Sequence, residues 1–319
     1  MYDDLHTLIA QLATRPEQGT WDGWNVQPIR TGMNNLVYRA TRGEDDLAVK
    51  FTRRDERDRA GREYTALAAL VSLGLDLAPQ PILLERERYH LPLIVQTWVS
   101  GDVHSQPPAD DAEWEQLVAY YATIHQVRPA NCQIPIGYAV TNMASCAQGR
   151  AMLAEQIGRL PPEARPPGLE QLAKRIEHAI WPELPHGPRA LCRVDSNTLN
   201  FIRRPSTWAS VDWENSGWGD PAFEIVDMMT HPAYFSVQQP RWEWVIERYT
   251  ACSGDDGAPV RIRTYYPLML AWWVARTARL IYELPRGLDP RLGGMPDYLN
   301  RLDDQYTYYV TLAHTALDR

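Results

Sequence analysis

Three polar residues in the second half of the chain have types and spacing from which phosphoryl-transfer chemistry could be built. Asp195 and Asn200 lie five positions apart in the polar segment CRVDSNTLNFI, and Asp212 follows in ASVDWE. A carboxylate can orient the proton of an attacking hydroxyl, while an amide oxygen and a second carboxylate suit a hard cation such as Mg²⁺. Alone the spacing is a weak signal, because Asp, Ser and Asn also favour ordinary turns.

The first half of the chain supplies the remaining parts of such a site. Lys50 ends the apolar run LAVK, and Glu63 follows in the next helical segment at a spacing that would let the two side chains pair. The strand-turn-strand TGMNNLVYR offers backbone amides near Gly32 to Asn35 that could cover phosphates. Its two asparagines, Asn34 and Asn35, are candidates for phosphate contact, with plain hairpin residues as the alternative.

The elements that must position these residues change in type along the chain. The first hundred residues predict five strands and one helix, from runs rich in Val, Ile, Leu and Tyr and from a helical stripe over Asp55 to Leu73. The predicted strands contain the runs NVQPIRTG, NLVYRATRG, DLAVKFTR, ILLERERY and LPLIVQTWV. WASVD predicts a short hairpin that brings Asp212 beside the Asp195 loop.

Beyond Gly101 the apolar spacing becomes helical. The periodic residues include Trp114 to His125, Tyr265 to Trp272 and Leu299 to Ala313, and the Pro-rich segment Leu160 to Gly168 predicts a loop. The predicted class is therefore α+β, with a small antiparallel-sheet lobe over residues 1–100 and a larger helical lobe over residues 101–319.

Composition excludes several classes of function. A formal net charge of −8 argues against binding nucleic acid through its phosphates and favours a cationic small-molecule partner. No apolar run reaches the roughly 18 residues of a membrane span, and the N-terminus lacks a signal-peptide pattern, so we expect a cytoplasmic protein. The four scattered cysteines indicate neither zinc nor disulfides. Monomer and homodimer both remain open.

Taken in order, these segments resemble the aminoglycoside phosphotransferase and choline kinase family, a branch of the protein-kinase-like fold. The resemblance is carried by TGMNNLVYRA, LAVKF, REYTALAALVSLGLDLAPQPILL, LIVQTWVSGD, YYATIHQV, CRVDSNTLNFI and VDWENSGWGDPAFEIVDMM. Together these segments extend from about residue 31 to residue 229. The ordered set is more specific than any one member of it.

The resemblance implies a two-lobe kinase with ATP, or GTP as an alternative, and Mg²⁺ bound between the lobes. Residues 1–100 would form the nucleotide-binding lobe and residues 101–319 the catalytic and substrate-binding lobe. It implies that Asp195 is the catalytic Asp and that Asn200 and Asp212 bind magnesium. By the same comparison Lys50 contacts the α and β phosphates with Glu63 as its partner, and Gln96 to Trp98 form the hinge beside adenine. The γ-phosphate would pass to a hydroxyl of a cationic acceptor, either an aminoglycoside-type antibiotic or choline, ethanolamine or another amino alcohol.

One departure from the family pattern puts the loop geometry in question. The family usually has His two residues before the catalytic Asp, in a segment like H-G-D, whereas this chain has Arg193 and Val194. A nucleotide-binding pseudokinase therefore stays open as a different class of function, and a protein kinase is a weaker third reading. Glu214 is left with two roles, an acid that supports the metal ligands or one that faces the acceptor.

Overall fold

The computed structural model describes residues 2–14, 17–29, 35–288 and 296–318, and within them the fold is α+β, as the sequence predicts. The strands are β1 (Gly19–Trp21), β2 (Trp24–Ile29), β3 (Leu36–Arg42), β4 (Asp45–Phe51), β5 (Pro81–Glu85), β6 (Leu93–Thr97), β7 (Ala190–Cys192), β8 (Phe201–Ile202), β9 (Ala209–Ser210) and β10 (Gly217–Gly219). The α-helices are α1 (Tyr2–Leu12), α2 (Arg59–Ser72), α3 (Asp111–Ile124), α4 (Cys146–Gly158), α5 (Pro167–His178), α6 (Pro221–Thr230), α7 (Gln239–Ser253), α8 (Ala258–Glu283) and α9 (Pro296–Leu317).

Six strands form one antiparallel sheet in the order β1-β2-β3-β4-β6-β5. Five of them are the predicted strands. The sixth, β1, is a correction to the prediction: its three residues are too few to show an alternating pattern. In β4, Lys50 pairs with Val37 on one side and with Ile94 on the other, so it lies on a strand with neighbours along both edges.

A helix that the sequence reading missed covers apolar residues of this sheet. Helix α1 contributes Leu5, Leu8, Ile9 and Leu12 to a buried cluster that also contains Trp24, Val26, Tyr38 and Val49 from the sheet. In β2 the buried and exposed residues alternate from Trp24 to Gln27, as expected for a strand with one face in a core. The helical signal was present in the i, i+3, i+4, i+7 spacing of the four α1 residues.

Helix α2 begins four residues later than the stripe from Asp55 predicts. Asp58 precedes it in the left-handed region with φ of 47°, which a helical residue cannot adopt. Before it, the Asp55 side chain accepts a hydrogen bond from the Arg57 backbone N–H at 3.1 Å, so this segment forms a turn. The late start places Arg59 in the first turn of the helix and Glu63 one turn further on.

The chain forms two compact units. The first comprises Met1–Thr141 and Ala190–Trp218, and the second comprises Asn142–Arg189 and Gly219–Arg319. In the second unit the 26-residue helix α8 packs against α4, α6, α7 and α9. The division at residue 101 stays a prediction, since it separates sheet from helix rather than one compact unit from another. Within the described residues no helix combines the length and apolar character needed to cross a lipid bilayer.

Strand β10 runs so close to residues 137–139 that it requires a glycine at position 217. A Cβ there would lie 2.4 Å from the Ala139 backbone nitrogen and 2.5 Å from the Gly137 oxygen. These segments are fixed by hydrogen bonds from Trp218 N–H to Gly137 O at 2.8 Å and from Ala139 N–H to Trp218 O at 3.1 Å. Added atoms must therefore displace backbone.

We expect Gly217→Ala to destabilise the protein by about 1–3 kcal/mol or more, because overpacking against backbone cannot be relieved by a rotamer change. Thermal unfolding followed by circular dichroism measures the effect. Gly158→Ala is the matched control, since a Cβ at that helical position meets no atom within 4 Å. Equal melting temperatures for the two variants would contradict the packing argument.

Candidate functional site

The ammonium group of Lys50 is shared by two carboxylates from distant parts of the chain. Its Nζ lies 2.6 Å from Glu63 Oε2 on α2 and 2.5 Å from Asp212 Oδ1. Lys50 and Glu63 are buried, with 5% and 0% of their surfaces exposed. The structure therefore brings together three of the residues selected from the sequence, all of them in the first unit.

Glu214 is a further acid in this cluster. Its Oε2 lies 3.9 Å from Lys50 Nζ and accepts a hydrogen bond from Asn35 Nδ2 at 2.9 Å, while its Oε1 pairs with Arg59 Nη1. Of the two roles left open for Glu214, these contacts favour the supporting one, because they fix its carboxylate to Asn35 and Arg59 beside Lys50. Arg59 was missed by the sequence reading, although its position four residues before Glu63 places both side chains on one helix face.

The loop that carries Asp195 has an unusual backbone. Val194 has φ of 56° and Asp195 has φ of 100°, values that L-residues other than Asn, Asp and His rarely adopt. The loop is held by hydrogen bonds from Asn197 N–H to Asp195 Oδ1 at 3.2 Å and from Tyr121 Oη to Ser196 Oγ at 3.1 Å. Strain of this kind clusters at functional sites, where surrounding contacts maintain it.

The predicted hairpin is confirmed, and it places Asn200 next to the segment that carries Asp212. Phe201 of β8 pairs with Ser210 of β9, and the Val211 N–H donates to the Asn200 carbonyl at 2.9 Å. Asp212 then turns away from the strand with φ of 64°. Asn200 itself ends a short 3-10 turn, Thr198–Asn200, that closes the loop.

Arg193, where the family usually has His, is fully buried behind this loop. Its guanidinium lies over the Phe201 ring at 4.7 Å, and Nη1 donates to the Val211 carbonyl at 3.4 Å. Phe201 follows Asn200, and Val211 precedes Asp212. The Arg193 side chain therefore contacts a neighbour of each predicted metal ligand, and it lies two residues from Asp195. We call this a bracing position, because one side chain connects the three segments.

Burial and the neighbouring charges together raise the pKa values of Asp195, Glu63 and Lys50 above their ordinary values. Burial raises the pKa of Asp195 to about 6; the Asp212 carboxylate adds to this shift, and the Arg193 cation opposes it. Burial also raises the pKa of Glu63, with Lys50 opposing it. For Lys50 burial disfavours the charge, yet Asp212, Glu63 and Glu214 together hold its pKa above its ordinary value.

The net charge and the donor types of the cluster suit a divalent cation. When all groups are ionised, the cluster has three positive and five negative side chains, which leaves an excess of two negative charges. The positive residues are Lys50, Arg59 and Arg193, and the negative ones are Asp55, Glu63, Asp195, Asp212 and Glu214. Buried oxygens Glu63 Oε1 and Asn35 Oδ1 also have no hydrogen-bond partner among the described residues. Carboxylate and amide oxygens are ligands that Mg²⁺ accepts.

The predicted hinge lies at the end of β6, the strand that pairs with the Lys50 strand β4. Gln96 is buried opposite Ala48, and the Trp98 N–H donates to the Asp46 carbonyl at 2.8 Å. Arg39 lies over the Trp98 ring at 4.7 Å. Adenine binding at Gln96 and Trp98 stays a prediction. Gly32 and Asn34, selected for phosphate contact, lie outside the described residues.

Comparison with known proteins identifies the family and the fold of the chain. The model of the phosphotransferase enzyme family matches residues 25–262. No curated protein sequence gives a significant match to this chain. Among solved structures, a protein assigned as an aminoglycoside phosphotransferase from Ralstonia eutropha is 16% identical, covers 98% of both chains and has a TM-score of 0.70.

Two further structures are similar in fold at low identity. Spectinomycin phosphotransferase, solved with ADP and spectinomycin, is 13% identical, covers 98% of both chains and has a TM-score of 0.63. The choline kinase LicA from Streptococcus pneumoniae is 16% identical, covers 97% of this chain and 99% of its own, and has a TM-score of 0.60. The fold is thus that of kinase-like phosphotransferases, as the resemblance implied.

The raised pKa of Asp195 makes a signed prediction about stability. Between its ordinary value near 3.8 and about 6 the folded protein binds a proton that the unfolded chain releases, so this group's contribution to stability falls as pH rises through that window. We expect Asp195→Asn in metal-free buffer to be more stable than the parent by about 1–3 kcal/mol at pH 7.5. The gain should fall to about a third of that value at pH 4.5, as urea unfolding at the two pH values would show. A gain that is independent of pH would contradict the assignment.

The bracing position of Arg193 predicts a charge-specific effect on Asp195. Arg193→Met keeps an apolar stem over Phe201 but removes the cation that lowers the pKa of Asp195. The upper end of the pH window in which stability falls should therefore move to higher pH in Arg193→Met, while its lower end stays near the ordinary pKa of 3.8. Arg193→Lys should resemble the parent. Stability profiles measured from pH 4 to pH 8 test this, and identical profiles for the Met and Lys variants would show that charge is irrelevant.

Proposed function

The chain belongs to the phosphotransferase enzyme family, and from that premise we propose that it is an ATP- and Mg²⁺-dependent kinase that phosphorylates a hydroxyl of a small cationic acceptor. The observation that carries the proposal is the Lys50 ammonium held between Glu63 and Asp212 at 2.6 and 2.5 Å. A buried Lys fixed by an acid, beside acidic and amide oxygens, is the charge pattern that an Mg²⁺-bound triphosphate requires.

In this proposal each residue has a distinct task. Lys50 binds the phosphates, and Glu63 keeps its ammonium in place. Asn200 and Asp212 would hold the metal. Bound Mg²⁺ would neutralise charge on the phosphates and act as a Lewis acid. The tasks are supported by the contacts and by the family, and GTP remains an alternative donor.

Asp195 acts on the acceptor. Its carboxylate accepts the hydrogen bond of the acceptor hydroxyl and orients the oxygen for in-line attack. The new bond joins this oxygen to the γ-phosphorus, the bond to the β-γ bridging oxygen breaks, and ADP leaves. The hydroxyl proton passes to Asp195 and then to solvent. With a pKa of about 6, Asp195 is ionised at neutral pH and still basic enough to take that proton.

The proposed acceptor class rests on charge. The net charge of −8 attracts cations and repels anionic substrates other than those neutralised by metal. We place aminoglycoside-type antibiotics first and choline, ethanolamine or another amino alcohol second, and we propose that the protein works in the cytoplasm, where ATP is available. The fold is similar both to aminoglycoside phosphotransferases and to a choline kinase. This similarity supports a cationic acceptor without selecting one of these acceptors.

A substrate panel tests the proposal directly. The purified protein is incubated with ATP, Mg²⁺ and one acceptor at a time, and phosphorylated product is identified by mass spectrometry. We expect product from an aminated alcohol and none after EDTA treatment. Turnover of neutral sugars or homoserine alone would contradict the cationic class, and MgATP binding without any product would favour a nucleotide-binding pseudokinase.

Substitution at Asp195 separates catalysis from binding. Asp195→Asn should lower kcat by about 10²- to 10⁴-fold, because the amide cannot accept the proton. Its affinity for MgADP should stay near that of the parent. Asp256→Asn, at an exposed position in the second unit, is the matched control and should behave as the parent. Normal turnover in Asp195→Asn would remove this residue from the mechanism.

A further inference from the structure

Two ion pairs connect helix α2 to the proposed site, and α2 provides the negative partner in one and the positive partner in the other. Glu63 gives a carboxylate to Lys50, and one turn earlier Arg59 gives a guanidinium to Glu214. Because the two α2 residues are four positions apart, both project from the same face of the helix. The first pair belongs to the proposed mechanism described above, whereas the second has no role in it.

The ion pair between Arg59 and Glu214 is buried, and both side chains also bond to other residues. Arg59 and Glu214 are exposed by only 4% and 2%. The Arg59 Nε donates to Asp55 Oδ2 at 2.8 Å while Nη1 bonds Glu214 Oε1, and Asn35 Nδ2 donates to the other Glu214 oxygen at 2.9 Å. Both oxygens of Glu214 therefore have donors other than Lys50.

Glu214 would otherwise be a competitor for Lys50. Its Oε2 is 3.9 Å from Lys50 Nζ, within ion-pair range but more than 1 Å further than the oxygens of Glu63 and Asp212. Removing the cation of a buried pair leaves an uncompensated charge, which seeks the nearest available partner. Without Arg59, that partner is the ammonium that the proposed reaction needs on the phosphates.

We propose that Arg59 is a positioning residue that holds Glu214 away from Lys50 and thereby keeps the Lys50 ammonium available to the nucleotide phosphates. This inference rests on the proposed kinase function. Arg59 acts through Glu214 and touches no reacting atom. The Arg59–Glu214 pair thus adds a second link between α2 and the segment that follows Asp212, beside the Glu63–Lys50 pair.

The role predicts a specific kinetic pattern. Arg59→Met keeps an apolar side chain of similar length but removes the guanidinium. We expect KM for MgATP to rise about 10- to 100-fold, the range found when groups that orient a site are removed, while KM for the acceptor stays unchanged. Arg59→Lys keeps a cation, which can reach only one of the two partners, Asp55 or Glu214. Its KM for MgATP should therefore lie between that of the parent and that of Arg59→Met.

A double-mutant cycle with Glu214→Gln tests whether Arg59 acts through Glu214. Arg59→Met should raise KM for MgATP in the parent but have no further effect when Glu214 is already Gln, because the neutral amide does not attract Lys50. Arg86→Ala is the matched control: Arg86 pairs with Asp58 at the start of the same helix, at 50% exposure, and its loss should change neither KM.

The outcomes separate this inference from the function on which it rests. Calorimetry with MgADP is run on every variant alongside the kinetics. If the parent neither binds MgADP nor turns over any acceptor, the proposed function is wrong. If the parent binds MgADP and Arg59→Met binds it equally well, or loses affinity equally in both Glu214 backgrounds, the kinase proposal survives and the role of Arg59 is overturned.

Discussion

The burial of one ammonium group, that of Lys50, is the constraint on which the rest of the site depends. A buried cation is costly unless it is paired, and this one is paired twice, with carboxylates from α2 and from the segment after β9. Each partner is then tied down in turn. Glu63 is fixed by the helix on which it lies, and Asp212 by the hairpin that also carries Asn200. Because Lys50 lies on an interior strand of the sheet, Glu63 and Asp212 have to lie beside that strand.

The loop that carries Asp195 shows the opposite arrangement, in which packing maintains a strained backbone. Val194, Asp195 and Asp212 all have positive φ, which costs of order 1–3 kcal/mol each. Arg193 helps to offset this strain, because it contacts Phe201 and Val211, the residues that flank the two predicted metal ligands. Because an arginine cation does not titrate near neutral pH, it gives a constant field at Asp195, which a histidine in that place would not.

The sequence was sufficient for the fold class, for five of the six sheet strands and for the selection of Lys50, Glu63 and Asp212, which the structure brings into contact. It succeeded because these three residues lie in local patterns of recognisable type. It failed at β1, which is too short for periodicity, and at α1, whose apolar stripe was overlooked. Arg59 was not selected from the sequence, since nothing local distinguishes it from Arg53 or Arg57. Its contact with Glu214, 155 positions away, becomes visible only in the folded chain.

The most direct test of the central claim is the position of a metal bound with nucleotide. A crystal of the protein soaked with ADP and Mn²⁺ gives an anomalous signal that locates the ion independently of the protein phases. The account predicts one Mn²⁺ ligated by oxygens of Asn200 and Asp212, with the Lys50 ammonium on an ADP phosphate. An ion or nucleotide bound elsewhere, with Lys50 still enclosed by carboxylates alone, would contradict it.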